Sequence, residues 1–275
     1  MVHIKHCCNR IKQGNRPICG IYAFLNGFYD GEIFQLCKWN DLVNKLWMYS
    51  MDTNILNNIS SLTANDVLQY SFVGEFFSSN NLENFLADIS QNDIDVQGKH
   101  INVKHELSKL INHTITKIDI DDVNKIEWNK FSDKKGTTFY LVPINSWIKC
   151  KDKFNMHWIC LKQVEGKPCI LNSAGNRSGE RNAIKHAIKD DNLPFNKLHK
   201  WVGISNSDDL DNVVINIQDR SKYISFDFKE WEKNCKSSKF VAECKERIDK
   251  INLSKVCQYS FMDSEFKIIK VTYYH

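Results

Sequence analysis

The sequence predicts an α+β fold, a helical first half followed by an antiparallel, β-rich second half. Three observations lead to this. Apolar residues between Cys19 and about Lys117 recur at helical spacing. Near residue 136 the texture changes to short runs rich in β-branched and aromatic residues, separated by turn signals. The chain then closes on one more such run, Glu265 to Tyr274. Helices followed by strands suggest two lobes within a single domain, with a boundary in 118–136. The predicted helical lobe is 13–125. The β-rich lobe is 1–12 plus 126–275, with a helical extension.

Residues 1–12 read as a short extended lead-in. Pro17 and Gly20 favour a turn before an apolar run in which Ile21, Phe24, Leu25 and Phe28 fall at i, i+3, i+4 and i+7. This predicts a buried helix from about Cys19 to Tyr29, ended by Asp30-Gly31. From Glu32 to about Lys117 the pattern is largely helical. Phe34, Leu36, Trp39, Leu42, Val43, Leu46 and Trp47 mark one helix. Thr63 to Asp66 is a capping-like start for another. Asn81–Ile89 and Lys104–Ile111 are two more, separated by Asn, Ser and Asp clusters.

Gly136–Ile144 and Met156–Val164 are predicted strands, Glu165-Gly166-Lys167 a tight turn, and Pro168–Asn172 the return strand. Residues 180–200 read as helix, Val213–Ile217 as a short strand, Glu230–Leu253 as a long charged helix, and Glu265–Tyr274 as the last strand.

The composition bounds the function. A chain of 275 residues with 42% hydrophobic and 25% charged residues can build a substantial core. A net charge of +4, with lysines and acids interleaved, gives no case for a nucleic-acid partner. No run of about 18 apolar residues exists, so no membrane association is expected. The polar start lacks a signal-peptide core, which predicts a cytoplasmic protein; delivery into another cell as an effector stays open. The ten cysteines are spread along the chain, so they read mostly as reduced thiols. Cys7 and Cys8 with His3 and His6 are a conceivable metal cluster, but no metal and no cofactor is expected.

The chemistry centres on Gln13-Gly-Asn-Arg-Pro-Ile-Cys19-Gly. A cysteine at a helix N-terminus meets amide N–H groups and the positive end of the dipole, which favour the thiolate, its nucleophilic form. A nucleophile needs a base, and the base needs an orienting group. His157 lies 138 residues after Cys19 at a strand start, and Asn172 lies 15 residues further at the end of the return strand. An Asn carbonyl can fix the tautomer of His157 and aim its other nitrogen at Cys19. The hairpin offsets the two by a few positions, so a bulge or splayed end is expected to bring them together. Gln13 can supply a side-chain N–H to an oxyanion, with the Cys19 backbone N–H as second donor. Asp152 and Asn155 are alternatives to Asn172.

These residues resemble the papain-like cysteine peptidases. Gln13-Gly14 and the interval to Cys19 are similar to that family's oxyanion Gln-Gly and its spacing. Cys19 with the nearby Ala23-Phe24, His157 downstream, and Leu171-Asn-Ser-Ala-Gly175 followed by Gly179-Glu180 complete the likeness. Two tryptophans of the family pattern are replaced, by Gly20 and Ala174, so a less shielded His–Asn pair is expected. The Gln…Cys-Gly block also looks like that of ubiquitin-like-protein peptidases, but the order Cys–His–Asn favours the papain arrangement. Bacterial C39-like peptidases share that order.

The resemblance implies a divergent member with a two-lobed papain-like fold, the nucleophile helix in the first half and an antiparallel sheet or barrel in the second. It implies Cys19 as nucleophile, His157 as base, Asn172 as orienting residue and Gln13 as oxyanion donor. The expected activity is a thiol hydrolase cleaving a peptide or isopeptide bond of a protein or peptide substrate. Two other readings share the frame: an acyltransferase or transglutaminase-type enzyme, and a catalytically dead binding module.

Overall fold

The structure is a computed structural model. It describes residues 5–6, 10–13, 18–31, 36–50, 76, 79–96, 98–123, 126, 136–145, 156–174, 214–215, 259–260 and 267–275. The predicted elements at 63–68, 180–200 and 230–253 lie outside these residues, as do Asp152 and Asn155 and, His6 apart, the His3/Cys7/Cys8 cluster.

Helices and antiparallel strands are both present, so the α+β class holds. The helices are α1 (Cys19–Phe28), α2 (Leu36–Ser50), α3 (Ser79–Gln91) and α4 (Val103–Ile111). The strands are β1 (Lys5–His6), β2 (Ile94–Val96), β3 (Lys99–Ile101), β4 (Lys117–Val123), β5 (Gly136–Asn145), β6 (Met156–Val164), β7 (Lys167–Leu171), β8 (Val214–Ile215), β9 (Tyr259–Ser260) and β10 (Ile268–Tyr274).

Six strands form one sheet in the order β1-β7-β6-β5-β10-β4, and only β1 with β7 is parallel. The sheet is open, with β1 and β4 at its edges, so of the expected sheet or barrel the described residues form the sheet. Closure needs the two edges to pair, and these edges are a two-residue strand and a strand bearing three aspartates. Charged side chains are what discourages further pairing at an edge.

The region read as helical up to about Lys117 also holds the β2–β3 hairpin, turned at Gly98 with φ +71° and tied by the Gly98 N–H donating to Asp95 Oδ1 at 2.9 Å. β4 likewise lies at the expected lobe boundary, 118–136. The β-rich half starts with a clear local signal. Glu165 (φ 51°) and Gly166 (φ 71°) both take positive φ, the two-residue turn whose twist suits a hairpin, and Val164 pairs with Lys167 across it.

Helix α1 is the centre of the molecule. All ten of its residues are buried, Asn26 among them, because the sheet covers one side and α2 another. A helix that is apolar all round is expected to be buried all round. Ile21, Phe24, Leu25 and Phe28 each contribute roughly 1.5–3 kcal/mol by leaving water. Phe24 and Phe28 stack on Phe139 of β5 with ring centroids 6.3 and 5.2 Å apart. The helix approaches β5 so closely that a Cβ on Gly27 would lie 2.2 Å from the Phe139 ring. At its C-terminal end the Lys162 ammonium of β6 donates to Gly27 O at 3.4 Å and to Tyr29 O.

Helix α3 is tied to the sheet by Ser79. Its hydroxyl donates to Lys267 O at 2.8 Å and accepts from Lys267 N at 2.7 Å, just before β10. Helix α4 is capped at both ends, by Asn102 accepting from His105 N and by Asn112 in the left-handed region.

Candidate active site

The site forms where the N-terminus of α1 meets the start of β6. Ile18 stands at the N-cap and makes no side-chain capping bond, and the first turn carries no acid. The first amide donors of the helix and the positive end of its dipole lie at Cys19, its first residue. The Trp158 N–H donates to Cys19 Sγ at 3.4 Å. Trp158 is the neighbour of His157, so the sulfur lies within roughly 6 Å of His157 Cα by standard backbone dimensions.

Gly20 follows Cys19 for a packing reason. A Cβ there would lie 2.9 Å from Phe76 and 3.2 Å from Leu82, so side chains from elsewhere in the chain occupy the space beside it. Phe76 is itself held by the Trp158 indole N–H, which donates to its carbonyl at 3.2 Å.

His157 and Asn172 meet side chain to side chain, His157 Nε2 lying 2.7 Å from Asn172 Oδ1. No bulge is needed. The register pairs Cys160 with Leu171, so its continuation sets Asn172 opposite Ile159, two residues from His157 on the same face. The pair is a diagonal cross-strand contact, within reach of long side chains. The tautomer follows from a third group. The Ala174 N–H donates to the same Oδ1 at 2.9 Å. A backbone N–H can only donate, so that atom is the amide oxygen, and His157 Nε2 carries the proton. In the neutral ring, Nδ1 is then the basic nitrogen.

The pair is also better shielded than expected: Asn172 is 0% exposed and His157 6%, with Ala174 in place of the tryptophan. Ala174 contributes through its backbone.

Gln13 is brought to the same place through Ser173. The Gln13 N–H donates to Ser173 O at 3.2 Å, and the Ser173 hydroxyl donates to Gln13 Oε1 at 2.6 Å. With Oε1 as the acceptor of that bond, Nε2 is the donor side of the amide. The segment before Gln13 is fixed on its other side by Asn26 of α1. The Ile11 N–H donates to Asn26 Oδ1 at 2.7 Å, and Asn26 Nδ2 donates to Ile11 O at 3.1 Å.

All four residues singled out from the sequence thus belong to one connected region, with Cys19 joined to it through the backbone of β6. Four contributors were not anticipated: the Trp158 and Ala174 amides, Ser173 and Asn26. A backbone donor has no sequence signature. Asn26 does have one, a polar residue in an apolar helix, which must find partners once buried. His100, His105 and His113 are exposed and remote from this cluster in sequence.

No family model, curated protein or solved structure matches this chain. Among the described residues no helix is long and apolar enough to cross a membrane.

Proposed function

We propose that this chain is a cysteine hydrolase of the papain-like kind, cleaving a peptide or isopeptide bond through Cys19, His157, Asn172 and Gln13. The observation that carries the reading is the buried His157–Asn172 pair, with its tautomer set by Ala174, beside a cysteine at an uncapped helix N-terminus. A nucleophilic helix laid against an antiparallel sheet is also the frame a two-lobed papain-like fold would use.

In this reading Cys19 gives its proton to His157 Nδ1, and the thiolate attacks the substrate carbonyl carbon. Gln13 Nε2 and the Cys19 N–H hold the developing oxyanion. The tetrahedral intermediate collapses, the C–N bond breaks, and the imidazolium protonates the leaving amine. Water, deprotonated by His157, then attacks the thioester and releases the acid and the thiol. Asn172 keeps the ring oriented and stabilises its charged form.

Limiting iodoacetamide at about pH 6, mapped by mass spectrometry, tests the pair. Cys19 is expected to take the label first, and His157→Ala to abolish that preference. Label spread over the ten cysteines without preference would refute an activated pair. Adding a primary amine to an acylated enzyme separates the alternatives: an amide product in place of the acid would make the protein an acyltransferase.

A further inference from the structure

The two-handed hydrogen bond between Asn26 and Ile11 has no role in the scheme above, yet it is the polar link between α1 and the segment that carries Gln13. Asn26 is 0% exposed and Ile11 1%. The Asn26 amide both accepts from and donates to a single residue, as a neighbouring strand would. It lies seven residues after Cys19, two turns along the same helix. Gln13 lies two residues after Ile11 and is held on its far side by Ser173, the residue after Asn172. The segment 11–13 is therefore fixed to the nucleophile's helix through Asn26 and to the His157–Asn172 pair through Ser173.

We propose that Asn26 is a positioning residue that sets where Gln13 presents its side-chain N–H relative to the Cys19 thiol. The inference rests on the hydrolase reading. An oxyanion donor is effective only within hydrogen-bond distance of a position defined by the nucleophile, and a displacement of about 1 Å is costly. A helix–loop clamp of two buried hydrogen bonds fixes that distance more tightly than apolar packing does, because both partners must stay aligned.

The test compares two reactions of the same sulfur in the full chain. Alkylation by iodoacetamide forms an S–C bond and expels iodide, with no oxyanion. Acetylation by p-nitrophenyl acetate forms a thioester through a tetrahedral oxyanion and expels p-nitrophenolate. Both need the thiolate, so the ratio of their rates cancels its abundance and reports the oxyanion donors.

Asn26→Leu, which keeps the volume and removes both bonds, is expected to lower acetylation of Cys19 by tenfold to roughly a hundredfold. Alkylation should stay within about twofold. Combining it with Gln13→Ala should lower acetylation little further, since both changes remove one effect. If Asn26→Leu does not fold, Asn26→Asp decides. A protonated carboxyl can reproduce both bonds and an ionised one cannot, so the ratio should recover as the pH falls.

The proposal is overturned if a folded Asn26→Leu keeps the wild-type ratio, or if Asn26→Asp keeps it even at high pH, where the carboxyl is ionised. It is also overturned if alkylation and acetylation fall together, which marks a merely structural role. A wild-type protein that shows neither reaction preferentially at Cys19 instead sinks the hydrolase reading, and this inference with it.

Discussion

The two ends of α1 face the same strand and are finished in opposite ways. At the C-terminal end the Lys162 ammonium donates to the carbonyls of Gly27 and Tyr29. At the N-terminal end the N-cap Ile18 makes no side-chain capping bond, and the Trp158 amide approaches the Cys19 sulfur. The spacing fits: nine helical steps and four strand steps both span about 13 Å, so α1 lies along β6 from Trp158 to Lys162. One end is a closed contact of a cation with helix carbonyls, the arrangement the dipole favours. The other presents its donors to an atom that can become an anion. On the hydrolase reading, stability and chemistry are thus allotted to different ends of one helix, and substitutions should separate them.

The largest expected effect is at the open end. Cys19→Ala should abolish turnover of an activated ester, by more than about 10³-fold or 4 kcal/mol of barrier. The melting temperature should move little. A Cys19→Ala protein that melts as early as one lacking Lys162 would break the contrast.

Asn172→Ala should slow Cys19 acylation by roughly 10–10²-fold, since a misoriented base forfeits much of the usual general-base gain. Burst kinetics would read it, and an unchanged burst rate would put another residue in its place.

At the closed end, Lys162→Met keeps the aliphatic stem and removes the donor. It should destabilise the fold by about 1–3 kcal/mol, because two part-buried carbonyls lose their partner. Thermal melting would show it, while Cys19 alkylation stays within about twofold. Gly27→Ala, one residue inside that end, should cost about 1–3 kcal/mol as the new methyl meets the Phe139 ring, partly offset by about 1 kcal/mol of helix propensity.

The smallest effect lies away from both ends, on α3, and sharpens the contrast as a control. Burial raises the Glu83 carboxyl above its usual 4.5, Asp122 and Asp121 adding to this while Lys267 opposes it. The folded protein holds that proton more tightly than the unfolded chain does. Its contribution is full below the ordinary carboxylate range and is lost as pH rises through the folded value. Glu83→Gln should therefore stabilise the protein slightly at about pH 7 and not at about pH 4, as urea titrations at the two pH values would show.

These experiments also mark how much could be read before any coordinates. Helix α1 was legible because an apolar run bounded by Pro17 and Asp30-Gly31 needs no partner to declare itself. The β6–β7 hairpin was legible from Glu165-Gly166 for the same local reason. Strands β2 and β3 were not, since three residues carry too little period to compete with their helical surroundings. Strand β4 was missed because its aspartates depress strand propensity, and its pairing with β10 joins residues 145 apart. In the site, side-chain types could be read and their supports could not. His157 and Asn172 declare their chemistry, whereas the Ala174 and Trp158 amides act through backbone that every residue possesses.

The placement of β10 carries a consequence in time. The strand reached last along the sequence is an inner one, lying between β5 and β4. Until residues 268–274 have been synthesised, β5 is an unprotected edge and β4 has no partner in this sheet. The wall supporting α1, Cys19 at its tip, is thus incomplete until β10 has been made. Contacts of such long sequence separation form slowly. Two segments far apart in sequence are thereby linked in maturation: Cys19 is made early, and the sheet beneath its helix is complete only once a distant strand arrives. On the hydrolase reading, a nascent chain carries its thiol unarmed.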